Sequence, residues 1–142
     1  GYYNGKQAYE AWIKGLSEDA AFDITNDKDN TFRRLGVNNS MLFNLIDARR
    51  SAEKYLRDSA SLLSGNKQKQ LIKIADNYKL IYKELSDFYV KIKFDYEEHK
   101  AYNALNTLGV ETHELRQEQI ELLSKVLKLE EVNAELAKSI FL

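Results

Sequence analysis

The stretch LIKIADNYKLIYKELSDFYVKI, Leu71 to Ile92, decides how this chain folds. At about 100° per residue, Leu71, Ile74, Tyr78, Ile81, Tyr82, Leu85, Phe88, Tyr89 and Ile92 fall on one face, and no charge interrupts them. A stripe so broad and long predicts a helix packed into a core. Asn66 can cap it, but Lys69 three residues later cannot complete a capping box. Beyond Ile92 the same face would receive Lys93, Tyr96, His99, Lys100 and Asn103, while Phe94, Ala101 and Leu105 lie nearly opposite. The helix therefore either breaks near Lys93 to Asp95 or continues against a different neighbour.

Working outward, the segment from Asn39 to Ser64 predicts a second long helix, stopped by Gly65. Met41, Leu45, Ala48, Ala52, Tyr55, Leu56 and Leu63 share its apolar face; Asp47, Arg50, Lys54 and Asp58 point away. Arg49 is the charge nearest that face, with Glu53 one turn on as its expected partner. Upstream, GKQAYEAWIKGL (Gly5 to Leu16) places Ala8, Tyr9, Trp12, Ile13 and Leu16 on one stripe, with Asn4 and Gln7 as a capping box. Ser17 to Gly36 reads as a loop with one or two short helical turns. Asp29 or Asn30 would cap TFRRL, and a left-handed Gly36 would close it. Gly109 punctuates the chain before a last helix from Thr112 to Phe141. There Leu115, Leu122, Val126, Leu129, Leu136 and Ile140 follow a heptad-like spacing, with polar Gln119 and Asn133 at inner positions. Leu123 and Val132 widen the stripe beyond a two-stranded seam. The expected fold is all-α: a mostly antiparallel helical bundle of three to four long helices, plus a short N-terminal helix and helical turns. Residues 1–142 are expected to form a single helical domain.

Composition agrees. Proline, which breaks helices, is absent. With 21 basic and 22 acidic residues the formal net charge is -1, unlike the basic footprint of a nucleic-acid binder. No cysteine is present, which removes disulfides, thiolate metal sites and a cysteine nucleophile within these residues. No apolar run reaches the roughly 18 residues that suggest a membrane span, and no signal peptide is visible, so a cytoplasmic setting without membrane or nucleic-acid partners is expected. The opening GYYNGKQ lacks an initiator methionine, the sole methionine being Met41. That suggests a fragment of a larger protein whose missing domain is itself a candidate partner.

Chemistry-bearing patterns are sparse. A di-metal bundle needs Glu-x-x-His pairs, but Tyr96 and Val110 stand three residues before His99 and His113. Asp95 and His99, one turn apart, read as a solvated face. The acidic run from Asp27 is not a calcium loop: its sixth position is Phe32 and its twelfth Asn38. No nucleophile elbow or glycine-rich phosphate cradle occurs. No catalytic residue, metal or cofactor is therefore expected. Arg49 is a candidate ligand-binding residue, because Ala48 and Ala52 leave room beside a guanidinium suited to carboxylate or phosphate. Its plainer reading is a stem lying along the core edge. Tyr78 and Tyr82 are candidates as walls of a tyrosine-lined pocket, against the plainer reading of core rings with hydroxyls at the rim. Trp12 joins them from an aromatic front end that includes Tyr2, Tyr3 and Tyr9. Leu122, Val126, Leu129, Asn133 and Leu136 are candidate interface residues of a homodimer, with Asn133 setting register.

The Gly5-x-x-Ala8-x-x-x-Trp12 helix, followed by NLIDARRSAEKYL with its Ala48-Arg49-x-x-Ala52, resembles the helical portion of proteins similar to butirosin biosynthesis protein H. The resemblance spans roughly the first 65 residues. It implies an accessory helical segment of a cysteine-peptidase-fold protein, some of these being acyltransferases. The family's nucleophilic cysteine has no counterpart here, so no catalytic residue carries over. The residues point first to a non-catalytic helical bundle serving as a ligand-binding, interaction or accessory domain. The alternatives are the helical lobe of a cysteine-dependent acyltransferase or peptidase-like enzyme, and a homodimerisation module built on the last helix.

Overall fold

The computed structural model describes residues 5–23, 26–100 and 113–141, without the side chains of 28, 93–100 and 141. Among them run four helices: α1 (Gly5–Leu16), α2 (Lys28–Ala60), α3 (Gly65–Lys100) and α4 (His113–Phe141), with a 3₁₀ turn at Asp19–Phe22 and no strand. The chain is all-α, with α2 against α3, α3 against α4, and α1 against α4. Cross-helix bonds give the directions. Arg57 meets Asp76 while Glu53 meets Tyr82, so α2 and α3 are antiparallel. Asn77 meets Asn133 while Lys91 meets Glu118, so α3 and α4 are antiparallel. Trp12 meets Asn38 near the start of α2, and Lys6 meets Glu131 far along α4. The helices thus alternate in direction, and α2 and α4 run parallel.

α1 has 12 residues, about 18 Å of helix, against 29 to 36 for the others. It covers one end of the bundle only. There the main core gathers Leu16, Phe22, Leu42, Ile81, Leu85 and Leu123, with Ile92 and Val126. Past the reach of α1, a smaller cluster of Ala60, Leu71, Ile74 and Ile140 seals the other end.

The Leu71–Ile92 stripe lies inward as expected: Leu71, Ile74, Ile81, Leu85, Phe88 and Ile92 are buried and its three tyrosines half-buried. The backbone stays helical through Lys100. What the face beyond Ile92 contacts, like Asn4, Tyr2, Tyr3, Gly109 and the Asp95/His99 pair, lies outside the described residues. α1 occupies its expected span. Gly65 does adopt the left-handed conformation, at φ 69°, but as the first residue of α3; α2 ends at Ala60, before the intervening turn.

Two readings of α2 are corrected. TFRRL is no separate turn, because the helix runs unbroken through Gly36 from Lys28. Its cap is Asp27, whose side chain accepts the Asn30 N–H at 3.0 Å, rather than Asp29 or Asn30. A mid-helix glycine costs about 1 kcal/mol relative to alanine. Burial of Leu35 and Leu42 on either side of it in one register offsets that. The second correction concerns the face. Leu35, Leu42, Ile46 and Ala60 are buried, whereas Met41 is 39% and Tyr55 71% exposed. The core-facing side is rotated by one residue, about 100°, from the most apolar stripe. Arg49 and Glu53 therefore sit on the inner side, where α3 and α4 supply partners.

This assignment makes adjacent residues unequal. Leu42→Ala should cost roughly 2–5 kcal/mol in urea denaturation, and Met41→Ala well under half of that. Equal losses would return the core to the Met41 face.

Candidate functional site

Three polar side chains lock α1, α2 and α4 together. Asn38 and Gln119, both buried, exchange amide hydrogen bonds: Asn38 Nδ2 donates to Gln119 Oε1 at 2.9 Å, and Gln119 Nε2 to Asn38 Oδ1 at 2.8 Å. The Trp12 indole N–H donates to the same Asn38 oxygen at 2.8 Å. The indole polar atom is thereby committed and its ring held between α1 and α2.

About three turns further along both helices, Arg49 Nε donates to Glu130 Oε1 at 2.5 Å. The Arg49 guanidinium carbon lies 5.5 Å from the Tyr78 ring centre, and the Tyr9 hydroxyl donates to Glu130 at 3.5 Å. Burial opposes the Arg49 charge, but the hydrogen bond and charge of Glu130 outweigh it and raise the pKa. Burial, followed by the Glu130 charge, pushes the Tyr9 phenol up to about 12; Arg49 acts against this. Tyr78 is raised for the same two reasons, burial first. Glu53, the expected partner of Arg49, instead accepts from Arg57 at 2.7 Å and from the Tyr82 hydroxyl at 2.8 Å.

Above these layers, α1 and α2 leave a groove. A cleft of about 330 Å³ is lined by Trp12, Leu16, Phe22, Arg33, Arg34, Val37 and Met41, with Asn30 and Asn38. A second, of about 400 Å³, is lined by Gly5, Ala8, Tyr9, Trp12, Met41, Leu45 and Arg49, with Asn44. Both are open, and Trp12 and Met41 form the ridge they share. The Met41–Leu45 stripe that the sequence presents as core is thus, in part, the wall of an open groove.

Of the residues expected to bind a ligand, Trp12 and Arg49 line this groove together, and Tyr78 lies behind Arg49. Tyr82 belongs elsewhere, stacked near Arg50 and bonded to Glu53, whose carboxylate raises its pKa. Of the residues expected at an interface, Val126 and Asn133 are buried within this chain's own bundle, and Leu122, Leu129 and Leu136 are half-buried there. Among the described residues no three His, Cys, Asp or Glu side chains gather as a metal site. Sequence reasoning passed over Glu130 and Arg116. Arg116 is buried, lies 4.6 Å over the Phe22 ring and pairs with Asp19, which also meets His113 at 3.1 Å. A signal existed: Arg116 and Glu130 continue the three-and-four spacing of Gln119, Leu123, Val126 and Asn133. Comparison with family models, with curated proteins and with solved structures found no match. The resemblance to the butirosin protein H group rests on its two helical motifs alone.

Arg49→Met strands the Glu130 carboxylate and should destabilise by roughly 1–3 kcal/mol. Adding Glu130→Gln should recover part of that, and strictly additive losses would deny the coupling. Because the folded pKa of Tyr9 lies above its unfolded value, its contribution is complete below about pH 10 and fades as pH rises toward about 12. In a tyrosinate absorbance titration, Tyr9→Phe should delete one late-ionising phenol.

Proposed function

We propose that this chain is a non-catalytic helical interaction domain that receives apolar side chains in the groove between α1 and α2. One observation carries the reading: Val37 and Met41 stay 54% and 39% exposed beside Trp12, along two adjoining clefts. Scattered surface apolar residues need no explanation, but a concave apolar run does. The groove floor is rigid, since the Asn38–Gln119 and Arg49–Glu130 pairs lie beneath it, and a preformed floor limits the ordering cost of binding. Arg49 serves as part of that floor, its charge already balanced by Glu130. The open form of the clefts suits anchor side chains of a larger partner better than an enclosed small molecule.

Nile red, a neutral dye that brightens in apolar surroundings, should bind the native chain. Met41→Glu should abolish most of that signal at little cost in stability. Absent binding, or binding unchanged by Met41→Glu and Val37→Glu, would refute the groove as a recognition surface.

A further inference from the structure

We infer that the occupant of the groove is an acidic amphipathic helix of a partner protein, a conclusion that rests on the groove reading above. The walls have helical periodicity. On α2 the lining residues Asn30, Arg34, Val37, Met41 and Asn44 recur at steps of four, three, four and three. On α1, Gly5, Ala8, Trp12 and Leu16 recur at steps of three, four and four, with Tyr9 beside Ala8. Such spacing offers holes into which the knobs of a third helix fit, one on each side of the Trp12–Met41 ridge. Gly5 and Ala8 are small and let that backbone approach closely. From Asn30 to Arg49 the α2 wall is roughly 28 Å long at 1.5 Å per residue, enough for a helix of about five turns.

Charge selects among such helices. Arg33 and Arg34 line one end, neither makes an ion pair among the described residues, and no carboxylate lines either cleft. Asp29, one turn before Arg33, forms no ion pair with it. The cleft between α3 and α4 is the contrast. Its Lys91 and Lys125 are paired across it with Glu118 and Glu84, and Asp87 and Glu121 line it as well, so it presents no spare positive charge. Arg49 and Arg57 are likewise engaged, by Glu130 and by Glu53 with Asp76. The two free guanidinium groups beside an apolar groove therefore call for carboxylates at one end of an apolar helix face.

A phage-displayed library of helix-biased peptides, selected on the intact chain, tests this. Enriched peptides should carry apolar residues at i, i+3, i+4 and i+7 with Asp or Glu clustered at one end. Their affinity should fall with added salt and drop about tenfold for the Arg33→Gln/Arg34→Gln double variant. Met41→Glu should abolish binding. Neutral or basic winners, or winners indifferent to the arginine substitutions yet lost on Met41→Glu, would overturn the acidic occupant and leave the groove standing. No enrichment, or enrichment untouched by Met41→Glu, would overturn both. Vesicles containing phosphatidylserine that bind through the same arginines, while no peptide does, would replace the partner helix by a membrane surface.

Discussion

The register between α2 and α4 governs the rest of the bundle. Two polar pairs set it, Asn38 with Gln119 and Arg49 with Glu130, each joining residues 81 positions apart. A seam made only of leucine and valine could slip by a heptad with little loss. With these pairs present, a slip would set a buried amide or carboxylate against an apolar side chain, at about 1–3 kcal/mol for each unsatisfied group. Polar residues inside the bundle therefore act less as a source of stability than as a rejection of other alignments. α1 is keyed to the same register, because Trp12 bonds the Asn38 oxygen that Gln119 also uses.

That register determines which side of α2 remains outside. Turning Asn38, Leu42, Ile46 and Arg49 inward leaves Val37 and Met41 outward, where α1 lines the same clefts without burying them. Two surfaces divide along one helix: the inner side carries the locked polar pairs, and the outer carries exposed apolar residues. The same division gives Arg49 its place. Its guanidinium is inside because Glu130, Tyr78 and Tyr9 surround it, and its edge reaches the groove from below.

Much of the helical architecture was legible from residue order. α1 and α3 each carry one dominant apolar stripe, and a helix with one stripe has one way to face a core. Absent proline marked long helices, and Gly65 marked the turn between two of them to within a few residues. Of the candidate site, Trp12 and Arg49 were identifiable from the sequence, Trp12 as part of an aromatic front end and Arg49 for its place beside apolar neighbours. Their shared groove was not, since it depends on how α1 lies across α2.

What the sequence by itself determined is the helical character of the chain, the inner face of α3 and the polar interruptions of α4. Those follow from local periodicity, which a single helix carries within itself. Only the tertiary structure decided the inner face of α2, the unbroken passage through Gly36, and the pairing of Arg49 with Glu130 rather than Glu53. The physical reason is common to all three. α2 has apolar residues on two adjoining faces, so its own pattern is degenerate. Partners on α3 and α4 made the more polar face the cheaper one to bury, because Asn38, Arg49 and Glu53 each meet a complement there.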